Sequence, residues 1–152
     1  MIGVINMGLF DKFSSKDEKV KLSKEEAFAA ISLVAIAADG VITEEEARGM
    51  FVQFYRMKTF SGFSDNQMSS MLNKLINIIK KQGLEALVNL AKESLPENMK
   101  ATAFAVATDL ALADGEIAEE EKKLLTKVQQ SLGLPEDEAV KIIEVMMIKN
   151  KG

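Results

Sequence analysis

Two short acidic phrases hold the residues of this chain best suited to chemistry. Ala38-Asp39-Gly40-Val41-Ile42-Thr43-Glu44-Glu45-Glu46 returns 75 residues later as Ala113-Asp114-Gly115-Glu116-Ile117-Ala118-Glu119-Glu120-Glu121, with seven of nine positions identical. An Asp in a turn and a Glu one helical turn into the next helix can converge on a hard divalent cation, helped by carbonyls freed where the preceding helix ends. The candidate metal ligands are therefore Asp39, Glu45 and Glu46 in the first copy and Asp114, Glu120 and Glu121 in the second. Oxygen donors favour Ca2+, with Mg2+ or Mn2+ as alternatives, and a chain without His or Cys is poorly equipped for tight zinc binding.

The pattern Asp-Gly-x-Ile-x-x-x-Glu reproduces the second half of an EF-hand loop, but the first half fails. In that register loop positions one and three fall on Ala35 and Ala37, and in the second copy on Leu110 and Leu112, none with a side-chain oxygen. A competing account needs no ion. Acids in a first helical turn favour the positive end of the helix dipole, and Thr43 with Glu46 forms a capping box. In the second copy Ala118 fills the capping slot while all three glutamates remain, which capping alone does not explain.

Composition narrows the function classes. The 152 residues, 47% of them apolar, suffice for one domain with its own core, and 6% aromatics with two prolines favour helix over sheet. Lacking Cys and His, the chain has no thiol chemistry, no disulfide and no imidazole base, and no nucleophile arrangement stands out; no catalytic residue and no organic cofactor is expected. Residues 39–48 and 114–123 each carry net −3 while the chain is −4, so the rest is net +2 and the acidity belongs to the turns. Lysines are scattered, as at Lys80-Lys81 and Lys122-Lys123, so nucleic acid is a poor partner. No segment matches a signal peptide or reaches the ~20 apolar residues of a membrane span, which points to the cytoplasm.

The elements that must position these turns are clearly punctuated. Capping boxes at Ser23/Glu26, Thr43/Glu46 and Ser64/Gln67 open three helices, and Asp39-Gly40, Gly62 and Gly83 interrupt them. A short helix through Leu84, Leu87, Val88 and Ala91 ends before Pro96, which suits the first turn of a fifth helix running to Asp114-Gly115. A sixth presents Leu124, Leu125, Val128 and Leu132 before Gly133, and a last one after Pro135 turns Ala139, Ile142, Ile143, Met146 and Met147 inward. The expected fold is all-α: about seven helices in a pseudo-two-fold bundle built on the duplicated helix, acidic turn, helix unit, with the Met68 to Leu95 pair inserted between the copies. Residues 1–22 read as a partly ordered or docked tail, 23–148 as the domain and 149–152 as a frayed end. In the tail, Leu9, Phe10 and Phe13 share one side of a short helix that either folds onto the domain or touches a membrane, with docking or disorder favoured; Met1 and Met7 both fit as the start. Met68, Met71, Met146 and Met147 read as core filler, and Phe60 and Phe63 either as anchors of the loop at Gly62, the favoured reading, or as a partner surface.

Residues about 25 to 147 resemble the TerB family of tellurite-resistance proteins, on the Ala-Asp-Gly turns opening acidic helices in both halves and on Leu132-Gly133-Leu134 after the sixth helix. The resemblance implies an all-helical bundle, a cytoplasmic or inner-membrane-peripheral stress-response protein, divalent-cation binding, and membrane-associated protein partners of the same resistance system. The family's acidic positions fall on Asp39, Glu45, Asp114, Glu120 and Glu121, with Glu44, Glu46 and Glu119 nearby. One departure is that Ile42 and Ile117 stand where the family often has polar residues, which would plug each turn into the core. The alternative reading is a helical adaptor without a metal site, its acids serving only as caps and solubilising charge.

Overall fold

The computed structural model describes residues 20–37, 41–113 and 115–151. Seven α-helices are present among them and no strand: α1 (Lys24–Ile36), α2 (Glu44–Tyr55), α3 (Asp65–Gln82), α4 (Leu84–Ser94), α5 (Lys100–Ala111), α6 (Glu119–Leu132) and α7 (Glu136–Lys149). The all-α bundle read from the sequence is the fold observed. Shifted by the repeat length of 75, α1 and α2 fall on α5 and α6 to within a residue at their starts.

Local chemistry starts the helices where it should. Ser23, Thr43 and Ser64 each accept the N–H of the residue three ahead, and Glu26, Glu46 and Gln67 return the bond to the cap's own N–H. Gly83 at φ +92° lets α3 turn directly into α4, and Gly133 at φ +72° closes α6 in the left-handed conformation. Pro96 does not enter the fifth long helix as expected. A 3-10 turn, Glu97–Met99, lies between it and α5, and the Met99 N–H bonds back to the Pro96 carbonyl.

The core is organised around α1. Every residue from Ala27 to Ile36 is buried, because α4, α5 and α6 as well as α2 and α3 pack around it. Small side chains at Ala27, Ala29, Ala30 and Ala35 permit this close approach. The second helix of each repeat touches both its own first helix and that of the other repeat, the reciprocity expected of a pseudo-two-fold. Phe28, Phe54 and Phe60 interlock beneath the loop at Gly62, with Phe54 stacked on Phe60 at 4.4 Å and Phe63 meeting Phe60 edge-on at 5.4 Å. Phe60 and Phe63 thus anchor the loop.

Met68 and Met71 are in the core as the periodicity predicts, but Met147 is not. It is 56% exposed and Met146 only half-buried, because α7 lies at the edge of the bundle and spends a single face, Ala139, Ile142 and Ile143, on it. Position 147 falls roughly 100° around the helix from 146 and points outward.

Candidate functional site

The described parts of the two acidic turns are built alike. Ile42 and Ile117 are half-buried against the core and fasten each turn from below, as expected for apolar residues at these positions. Thr43 and Ala118 then adopt the extended backbone of a helix cap, and three consecutive glutamates open α2 and α6. Glu46 accepts both the N–H (2.9 Å) and the hydroxyl (3.1 Å) of Thr43 through one carboxylate oxygen. Glu121 accepts the Ala118 N–H at 2.8 Å.

This last bond corrects part of the sequence argument. An alanine at the cap position still leaves half of the capping box intact, because the returning bond needs only its backbone N–H. Glu119 in turn pairs with Lys122 at 3.1 Å on the same helix face. Capping and local pairing therefore explain Glu46, Glu119 and Glu121, whereas Glu45 and Glu120, again 75 residues apart, are exposed. The arrangement also predicts a stabilising change. Ala118 already has cap geometry at φ −72°, ψ 159°, so Ala118→Ser should supply the missing acceptor for the Glu121 N–H and add about 0.5–1 kcal/mol, read as a higher urea midpoint.

Asp39 and Asp114, the turn aspartates, lie outside the described residues. Among the described residues no group of three or more carboxylates is gathered closely enough to hold a metal ion. The side chains present fit a hard cation in donor type, with exposed carboxylates beside each turn, Glu44 and Glu45 at the first and Glu116, Glu119 and Glu120 at the second. They complete no coordination shell by themselves.

A carboxylate that the sequence reading passed over is the best-held of the described polar groups. Asp109, near the end of α5, is only 7% exposed and accepts from Gln53 Nε2 of α2 at 2.7 Å, Asn150 Nδ2 at 2.7 Å and Lys149 Nζ at 3.1 Å. Burial pushes its pKa up, but the three donors and the Lys149 charge outweigh burial and hold it below the ordinary value of 3.8. It forms the floor of a groove between α2, α5 and the end of α7, whose rim carries Glu45, Arg48 and Arg56. The available signal was a lone charge inside the otherwise uncharged Ala101–Leu112 stretch.

The family model of the tellurite resistance protein TerB matches residues 25–143, most of the chain and both acidic turns. The chain belongs to the TerB family. No curated protein and no solved structure matches it. In this TerB domain the matched span begins inside α1 and ends inside α7, so the duplicated unit and the α3–α4 pair all lie within it. No helix among the described residues is long and apolar enough to cross a membrane.

Proposed function

We propose that this TerB-family domain is a non-enzymatic cytoplasmic module of the response to tellurite or related chemical stress, which binds a divalent cation at its acidic turns and recruits protein partners, including membrane-associated members of the same resistance system. The observation that carries the cation reading is the pair Glu45 and Glu120: equivalent in the repeat, exposed, and not consumed by the capping that occupies Glu46 and Glu121. The ligand set is accordingly Asp39 with Glu45 and Asp114 with Glu120, joined by second oxygens of the capping glutamates and by backbone carbonyls. Ca2+ is favoured, with Mg2+ and Mn2+ as alternatives. Ion binding would order the turns and present a surface that partners recognise.

A second reading has its own support in the complete capping box at Thr43 and the half box at Ala118: a helical adaptor with no bound ion, whose glutamates start helices and keep the surface soluble. Thermal unfolding with and without each ion separates the two. An ion at about a hundred times its dissociation constant should add ~2.7 kcal/mol to stability. Asp39→Asn or Glu45→Gln should remove the first turn's share and Asp114→Asn or Glu120→Gln the second's, whereas flat curves with all three ions would leave the adaptor.

A further inference from the structure

The end of the bundle where α1 begins also carries a groove with apolar walls. Phe54, near the end of α2, meets Phe28 in the first half of α1 at 6.1 Å. Its neighbour Gln53 donates to Asp109 near the end of α5. The start of α1 and the end of α5 therefore face the same way. Asn150 joins Asp109 to a second groove of about 620 Å³ there, whose apolar walls are Leu112, Ile117, Met147 and Ile148 and whose remaining lining is Gly115, Glu116, Asn150 and Lys151. Met147 and Ile148 are 56% and 73% exposed, although both are large and apolar, and they lie beside Leu112, which is buried.

The sequence supplies an occupant. Leu9, Phe10 and Phe13 form an apolar cluster, and Ser14-Ser15-Lys16-Asp17-Glu18-Lys19 forms an uninterrupted polar connection from it to Val20, which packs against the core. At about 3.3 Å per extended residue, Phe13 can lie up to ~23 Å and Leu9 up to ~36 Å from Val20. That is two to three helix diameters at ~10–12 Å each, the scale of the spacing between neighbouring helices in a bundle. We propose that the segment Leu9–Phe13 docks, within the same chain, onto the groove formed by Leu112, Ile117, Met147 and Ile148.

Two arguments favour this occupant over others. A linker of this length holds the cluster at a millimolar effective concentration, which outcompetes a second copy at micromolar protein. The first nineteen residues carry three acids and three lysines, so they lack the basic excess that attracts an amphipathic segment to anionic lipid.

The absence of cysteine makes the test direct. A nitroxide on Ser14→Cys, in protein carrying 13C-methyl methionine, should lower the Met147 methyl signal at least twofold, with recovery on reducing the nitroxide. Phe10→Asp and, separately, Ile148→Asp should each restore the signal; Ile148 is 73% exposed, so the melting temperature of Ile148→Asp should stay within about 2 °C of the parent. An undiminished Met147 signal overturns the proposal. So does a loss that persists when spin-labelled and 13C-labelled chains are separate molecules mixed together, which would identify a second copy. A Met147 signal that is undiminished in solution while the labelled segment binds phosphatidylglycerol vesicles would assign the cluster to membrane instead.

Discussion

Phe28→Ala is expected to remove about 3–5 kcal/mol of folding stability, as large-to-small changes at fully buried aromatic positions do. Phe28 has no exposed surface and meets Phe54 and Phe60 edge-on at 6.1 and 6.0 Å. Truncation would leave a ring-sized void at the junction of α1, α2 and the anchored loop, and α1 cannot shift to fill it because helices enclose it on every side. Against a typical domain stability of ~5–15 kcal/mol this is a large fraction. For a chain of this size the melting temperature should fall by roughly 6–20 °C. Urea unfolding followed by circular dichroism gives the free energy, and Phe28→Leu should recover most of it. A loss below about 1 kcal/mol would mean that the rings repack around the void.

Asp109→Ala should cost about 2–3 kcal/mol, the scale for removing a charged acceptor from buried donors. The loss should come chiefly from Gln53 and Asn150, which would face a partly buried site with nothing to accept their amide protons. Lys149, 58% exposed, keeps its water and contributes less. Because the three donors tie α2 and the end of α7 to α5, the last turn of α7 should also lose protection from amide exchange. Asp109→Asn isolates the charge. The folded-state pKa lies below 3.8, so the ionised carboxylate's contribution is fully present above the unfolded value and is lost as pH falls through the lower folded one. The stability difference between the parent and Asp109→Asn should therefore be constant from about pH 7 to 5 and shrink below ~4. A difference that grew with acid would contradict the assignment.

Much of the fold was legible because its punctuation is local. Ser23 with Glu26, Thr43 with Glu46 and Ser64 with Gln67 are bonds between residues three apart, so spacing alone locates them. The same holds for Gly83 and Gly133, whose left-handed backbone few other residues tolerate. Legibility fell wherever a side chain's fate depended on a neighbour from elsewhere in the chain. Met146 and Met147 have the same helical neighbourhood in sequence, yet only the placement of α7 at the bundle edge leaves the second exposed. The capping role of Glu121 was likewise hidden, because Ala118 has no side-chain acceptor and only the backbone geometry shows Glu121 accepting its N–H.

Residue order alone determined the helical class, most helix starts and stops (the 3-10 turn after Pro96 excepted), the internal duplication and the resemblance that the family match then established, since each rests on periodicity or short-range hydrogen bonding. The tertiary structure decided that α1 is enclosed and α7 marginal, and that Asp109, Gln53, Lys149 and Asn150 form one site. Those four residues are separated by up to 56 positions along pairs that bond directly. Only the packing angles of three helices bring their polar atoms to within 3.1 Å, and no local rule encodes those angles.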